Sequence, residues 1–405
     1  MDAVRRALLP TEEAQALFEL TEELGAAELA PRAASAESIG EFPREVFRLI
    51  GRSGLLGLPY DEDLGGGGQP YAVYLQVVEE LARRWLAVGL GVSVHTLACH
   101  ALAGYGTAEQ RKRWLPDMIG GELLGAYCLS EPEYGSDAAN LTTRAVADEH
   151  EYVIDGTKAW ITHGGEADFY TVLARTGGPG PKGISAFLVE AGTAGLSAAS
   201  PEHKMGMRAS TTAQMRFEGV RVPAERQIGE LGQGFEIAMR ALDCGRLGIA
   251  ACAVGLAQAA LDTATAYARE RVQFGRPIIE HEALGFMLAD MAARTEVGRA
   301  AYLAAARLRD LGLPFSRQAA IAKLHCTDAA MQTTVDAVQV LGGAGYTTDF
   351  PVERFLREAK VLQIVEGTNQ IQRRVIAKSL ERGQGTGSTI VTSVTHGTIG
   401  ARTVA

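Results

Sequence analysis

Basic charge is in deficit. Lys and Arg total 39 against 48 Asp and Glu, a formal net charge of −9, and no basic block appears along the chain. An acidic surface repels phosphate backbones, so nucleic-acid binding is set aside, and a basic protein is the complementary kind of partner. Cysteine is scarce and scattered. Cys99, Cys128, Cys244, Cys252 and Cys326 are odd in number and include no CxxC pair, so neither a disulfide framework nor a zinc site is indicated. No GxxxxGK[ST] run exists, and the glycine cluster in DEDLGGGGQP, Asp61 to Pro70, reads as a tight surface turn. The opening MDAVRRALLPTEEAQ has no signal-peptide core before its acidic run. The stretch Trp85 to Ala108 carries no Lys, Arg, Asp or Glu. Ser93, His95, Thr96, His100 and several glycines interrupt that stretch, which reads as a buried helix pair rather than a membrane span.

What remains is ordinary globular composition. The 405 residues are 47% hydrophobic and 21% charged, enough chain for two or three domains with their own cores. Arg outnumbers Lys and Ala is abundant, the pattern of a GC-rich bacterial genome, and the expected location is the cytoplasm.

Periodicity divides the chain. Residues 1–124 carry helical patterning, with Tyr74, Val77, Val78 and Leu81 on one face. Residues 125–234 change to short β-branched and aromatic runs between turn residues. In EYVIDGTKAWIT, Asp155-Gly156 reads as a hairpin turn with Trp160 and Thr162 on the returning strand. This predicts a small antiparallel β domain, barrel or sandwich. Residues 235–382 are helical again. Apolar stripes at Ala250, Val254, Ala257 and Leu261, at Leu284, Met287, Leu288 and Met291, and at Leu324, Met331, Val335 and Val338 predict a bundle. Residues 383–405 form a Gly/Thr/Ser-rich tail without helical period.

Three segments carry chemistry. AYCLSEPEYGSD, Ala126 to Asp137, offers hydroxyls and a flexible glycine where helix gives way to strand. Such groups suit a polar heterocycle and a pyrophosphate, while taken alone the segment reads as a capped turn. WITHGG, Trp160 to Gly165, places an aromatic wall beside a hydroxyl, and also fits a core Trp at a strand end. His163 reads as a surface or loop histidine. LQIVEGTNQIQR, Leu362 to Arg373, sets Glu366 among Val361, Ile364 and Val365. Desolvation there raises a carboxyl pKa toward general-base range. The competing reading is a Glu at a helix N-terminus.

Taken in order with KMGMRAS (Lys204 to Ser210), RVQFGRPI (Arg271 to Ile278) and QVLGGAGY (Gln339 to Tyr346), these segments give the chain a pattern that resembles the acyl-CoA dehydrogenase flavoproteins. The resemblance runs to about Leu380. It implies a mainly α fold: an α-helical N-terminal domain, an antiparallel β-barrel middle domain and a C-terminal four-helix bundle, assembled as a homotetramer around FAD. It implies that Tyr127, Leu129, Ser130, Gly135, Ser136, Trp160, Ile161, Thr162, Thr368 and Gln370 contact FAD. Arg271, Gln273 and Phe274 would reach the neighbouring subunit's FAD, and Gln339, Gly342 and Gly343 would face the adenine end of FAD. Glu366 aligns with the base that removes the α-proton of an acyl-CoA while the β-hydride passes to the flavin. Ser136, Asp243, Cys244, Gly245, Arg246 and Gly367 are the substrate-side candidates, and the ALDCGR form resembles short-chain and short-branched-chain members. Val365 stands where many members have an aromatic, and His163 where Asn is frequent. Electron-transfer flavoprotein is the implied acceptor. An acyl-thioester oxidase, a carrier-protein-linked dehydrogenase and a catalytically silent scaffold of the same fold are the alternatives.

Overall fold

The structure, a computed structural model, describes residues 6–381, so the tail expected at 383–405 lies outside the described residues. The N-terminal part is helical: α1 (Glu12–Leu24), α2 (Ala30–Ile39), α3 (Arg44–Arg52), α4 (Tyr71–Arg84), α5 (Leu86–Tyr105) and α6 (Ala108–Ile119). Its helix starts follow from local chemistry. Thr11 accepts from the Ala14 N–H at 3.0 Å, and Thr107 and Gln110 form a reciprocal cap on α6. Tyr74, Val77, Val78 and Leu81 are sealed from solvent, as are the residues on the other faces of α4, which is buried nearly all round.

The uncharged stretch differs from expectation. It is one 20-residue helix, α5, and not a pair. Gly89 and Gly91, which look like breakers, are packing points: an added Cβ would lie 2.6 Å from Ala82 and 2.4 Å from the Phe47 ring. Helix α5 and the helix Gly234–Glu270 are each long and apolar enough to cross a membrane, yet 89% and 100% of their apolar windows are buried inside the fold.

The middle part is an eight-stranded sheet. Its strands are β1 (Gly125–Cys128), β2 (Arg144–Asp148), β3 (Glu151–Thr162), β4 (Phe169–Arg175), β5 (Ile184–Glu190), β6 (Leu196–Ala198), β7 (Thr212–Pro223) and β8 (Gln227–Ile228). The order is β6-β7-β3-β2-β4-β5-β8, with β1 beside β4. Neighbours run antiparallel except β1 with β4 and a single β2–β4 contact. The expected turn at Asp155-Gly156 is absent. Residues 151–162 form one continuous strand that pairs with β7 through two register shifts. Gly156 is needed for close approach, since a Cβ there would sit 2.5 Å from the Thr143 hydroxyl. An Asp-Gly pair can mark a bulge as well as a turn.

His163 is fully buried, against the expectation of a surface residue. Its Nδ1 lies 2.9 Å from the Gly125 carbonyl, and His95 Nδ1 accepts from the Gly125 N–H at 3.0 Å. Two imidazoles thus fix the first residue of β1. Burial brings their pKa values down, to about 3 for His95 and about 4 for His163.

The C-terminal part contains α7 (Gly234–Glu270), the hairpin β9 (Val272–Gln273) and β10 (Arg276–Pro277), then α8 (Glu282–Asp310), α9 (Ser316–Leu341), α10 (Val352–Leu362) and α11 (Asn369–Glu381). Helix α7 is the central rod, packed by α4, α5, α8 and α9. On α9 the buried face is not the stripe read from the sequence. Ala319, Ala322, Cys326, Ala330, Thr333 and Ala337 face inward, while Val335 is exposed and Leu324, Met331 and Val338 are only partly covered. Small residues let α9 approach α7 closely, so the larger apolar side chains lie toward the outside.

A buried ion cluster ties three helices. Arg299 of α8 donates to Glu79 of α4 at 2.9 Å and to Gln258 of α7 at 3.0 Å, and Tyr302 donates to Glu79 at 2.5 Å. Removing one partner of such a pair leaves an uncompensated buried charge. Arg299→Met is therefore expected to destabilise the fold by about 3–5 kcal/mol in chemical denaturation. The buried histidines predict a second effect. Their folded pKa values lie below the unfolded value, so the unfolded state binds more protons as pH falls below about 6.5, and stability declines there. His163→Asn should show a shallower fall of Tm between about pH 6.5 and pH 4 than the parent.

Candidate active site

The three chemistry-bearing segments meet. Strand β1 delivers Tyr127, Leu129 and Ser130 to one wall of a cleft of about 320 Å³, with Gly135 and Ser136 following. The end of β3 delivers Trp160, Ile161 and Thr162. The loop between α10 and α11 supplies Glu366, Gly367 and Thr368, and α5 and α7 close the apolar side with Leu90, Val94, Leu97, Leu242 and Ile249.

Two backbone conformations aim the key side chains. Trp160 has φ 62° and stands 64% exposed at the cleft. Glu366 has φ 52° and is followed by Gly367 at φ 89°. A left-handed non-glycine residue is uncommon and is held by its surroundings. Glu366 lies in a loop rather than at a helix N-terminus, because α11 begins only at Asn369. Both of its carboxylate oxygens are buried and accept no hydrogen bond among the described residues. Burial raises its pKa to about 7, against the opposing pull of Lys323 and Arg246. One Glu366 oxygen abuts Gly245, where an added Cβ would lie 1.9 Å away.

The segment containing Ser130 is braced from beneath. Lys158, fully buried on β3, donates to the Leu129 carbonyl and to Glu131, both at 3.0 Å. Glu131 also accepts from the Thr142 and Thr143 N–H groups at 2.7 and 2.8 Å. Burial works against its charge, but Lys158 and these bonds outweigh it and bring the pKa down to about 2. Sequence reasoning passed over Lys158 and Glu131. A lysine at an inward strand position was the only available signal.

Other candidates lie elsewhere. Asp243 faces away from the cleft, paired with Arg246 at 2.5 Å and accepting from Ser316 at 2.9 Å. Cys244 and Gly245 line a second chamber of about 20 Å³ behind Glu366, with Tyr60, Tyr71, Thr96, His100 and Arg309. The cleft face of α7 runs instead through Leu242, one residue before the predicted set, and Ile249, three residues beyond it. Arg271, Gln273 and Phe274 occupy the β9–β10 hairpin outside the cleft, with Phe274 95% exposed. Gln339, Gly342 and Gly343 cap the far end of α9, and Gln370 is exposed on α11. A larger cleft of about 740 Å³ lies near Arg83, Arg208 and Arg357 and contains none of the predicted residues.

The cleft suits a flavin. The Tyr127 hydroxyl is buried without a partner, and the Ser130, Ser136 and Thr162 hydroxyls make no protein hydrogen bond among the described residues. An added Cβ at Gly135 would meet nothing within 4 Å. Free hydroxyls on one rim and a Trp on the other match a large planar polar group.

Comparison with known proteins agrees. Family models match along the chain: acyl-CoA dehydrogenase N-terminal domain at 11–122, middle domain at 126–220 and C-terminal domain at 232–381. A short-chain-specific acyl-CoA dehydrogenase of Clostridium acetobutylicum is 42% identical, over 92% of this chain and 99% of its own. Butyryl-CoA dehydrogenase from Megasphaera elsdenii superposes with TM-score 0.90 at 39% identity, over 92% of this chain and 99% of its own. A chain in the structure of the Acidaminococcus fermentans electron transferring flavoprotein gives TM-score 0.91 at 40% identity, over 93% and 99%. Helical flanks around a central β domain, a flavin-shaped cleft and matches to all three parts show that this chain belongs to the FAD-dependent acyl-CoA dehydrogenase family.

Proposed function

We propose that this protein oxidises a short or short-branched acyl-CoA to the trans-2-enoyl-CoA, with Glu366 as the base. The buried Glu366 carboxylate carries the reading. It has no hydrogen-bond partner among the described residues, stands at the cleft and has a pKa near 7. A carboxylate so placed is basic enough to take an α-proton and is ionised near neutrality.

Tyr127, Leu129, Ser130, Ser136, Trp160, Ile161, Thr162 and Thr368 are the residues proposed to hold FAD. Once bound, FAD supplies the two-electron acceptor for the hydrogen leaving the β-carbon. The chain's own groups do the rest. Glu366 removes the proton. Its backbone N–H donates to no backbone acceptor in the loop and is the donor proposed for the thioester oxygen as charge develops there. Ser136 and Gly367 border the thioester. Leu97, Leu242 and Val365 keep water from the reacting carbons.

The small chamber supports a short acyl group. Its back wall is polar: the Arg309 guanidinium lies 3.9 Å over the Tyr71 ring and 3.4 Å from Cys244 Sγ, and Tyr71 donates to the Cys244 carbonyl at 3.1 Å. A volume of about 20 Å³ admits little more than one water. Pushing methylenes against that guanidinium costs its solvation.

Arg271, Gln273 and Phe274 are proposed to reach the FAD of a second copy, and Gln339, Gly342 and Gly343 to face the adenine end of FAD. The exposed Phe274, Tyr346 (89%) and Val335 fit an assembled state, a homotetramer by resemblance. Electron-transfer flavoprotein is the proposed acceptor and the cytoplasm the proposed location.

Glu366→Gln should leave the protein folded and yellow yet slow anaerobic bleaching by butyryl-CoA roughly 10²–10⁴-fold. Near-normal bleaching would refute the base assignment. In the parent, kcat/KM should fall about tenfold per pH unit below about 7, as the base takes up its proton. Arg309→Ala should raise the octanoyl-to-butyryl ratio of kcat/KM by about tenfold or more. An unchanged ratio over a panel of straight and branched acyl-CoAs would remove Arg309 as a chain-length determinant.

A further inference from the structure

Lys323 lies on α9 with no exposed surface. A buried ammonium is costly unless an anion and acceptors surround it. Its acceptors belong to the catalytic loop. Nζ donates to the Gly367 carbonyl at 3.0 Å and to Asn369 Oδ1 at 2.8 Å. Asn369 is itself fixed, its Nδ2 donating to Thr327 at 2.9 Å and to Asp328 at 2.7 Å. Gln372 brings a second donor to the Gly367 carbonyl, at 2.8 Å. Helix α9 and the start of α11 therefore grip the carbonyl of Gly367, the residue after Glu366, and these two successive residues have left-handed φ.

The charge environment is lopsided. The acidic groups acting on Lys323 are Glu366 and Asp328, and Arg246 on α7 opposes its charge. Asp328 is half solvent-exposed and already accepts from Gln363, Asn369 and Arg373. The other titratable groups that feel the Glu366 charge are Tyr71 and Tyr74 of α4, Tyr127 of β1, and Cys244 and Cys252 of α7. Burial pushes all five upward, so they stay neutral. Glu366 is thus the buried anion available to Lys323, one peptide away. Burial lowers the Lys323 pKa, and Glu366 and Asp328 pull it back up.

We propose that Lys323 is a positioning residue for Glu366: from behind the loop it holds the left-handed turn that presents the carboxylate, and its charge favours the ionised base. The inference rests on Glu366 being the base. It assigns to one buried lysine both the geometry and the working pH of the reaction.

The test uses the FAD-loaded enzyme and compares Lys323→Gln, Lys323→Met and Lys323→Arg. Flavin content and absorbance are checked first, and anaerobic bleaching by butyryl-CoA is then followed against pH. Lys323→Gln keeps a donor but removes the charge. It should move the acid limb of the rate upward by about one pH unit, the scale for one nearby opposite charge, with the rate recovering at high pH. Lys323→Met should show the same displacement and a lower plateau, and Lys323→Arg should return the limb toward the parent. Carbodiimide labelling of Glu366, mapped by mass spectrometry against pH, gives a readout independent of turnover, and its midpoint should move upward in Lys323→Gln. If Lys323→Met does not fold, the Gln and Arg pair still decides. A limb and labelling midpoint unchanged in Lys323→Gln, or an equal loss at every pH, would overturn the proposal. A parent enzyme that butyryl-CoA fails to bleach would count against the proposed function instead.

Discussion

Glu366 and Gly245 share a space that admits only one of them in full. Helix α7 comes so close to the catalytic loop that a methyl group on Gly245 would overlap the carboxylate. The absent side chain lets the longest helix among the described residues pass directly behind the Glu366 carboxylate. The carboxylate is then shut away from water without receiving a hydrogen bond, and its raised pKa follows from that desolvation more than from any neighbour. The left-handed backbone at Glu366 and Gly367 is the local consequence, a conformation that surrounding groups must sustain.

Two glutamates near the cleft show how far environment separates identical groups. Glu131 is buried against Lys158 and three donors, and its pKa falls to about 2. Glu366 is buried without such partners, and its pKa rises to about 7. One is a fixed anion bracing the strand that carries Tyr127 and Ser130; the other exchanges a proton near neutral pH. Their opposite displacements divide the labour of the site. Glu79, locked to Arg299 and Tyr302 farther away, belongs with the bracing kind.

Much of this was legible along the chain because it depends on residues a few positions apart. Helical stripes marked α4, and Glu-Gly-Thr-Asn marked a carboxylate amid apolar residues. The misreadings share one cause. Asp155-Gly156 is compatible with a turn or a bulge, and only Thr143 pressing on Gly156 decides for the bulge. On α9 an apolar stripe was taken as the buried face, whereas close approach to α7 selects the small residues. His163 looked like a loop histidine until Phe42 and Phe47 were seen packed around it.

The sequence by itself determined the three-part organisation and the segments that converge on the cleft. Periodicity and backbone preference are set by near neighbours in the chain. Only the tertiary structure decided which ionisable groups are buried and with whom. Lys158 reaches Glu131 across 27 residues and Lys323 reaches Asn369 across 46, and no local pattern distinguishes either lysine from a solvated one. Burial and Coulomb energy depend on distance in space, so the protonation chemistry of the site exists only once the chain has folded.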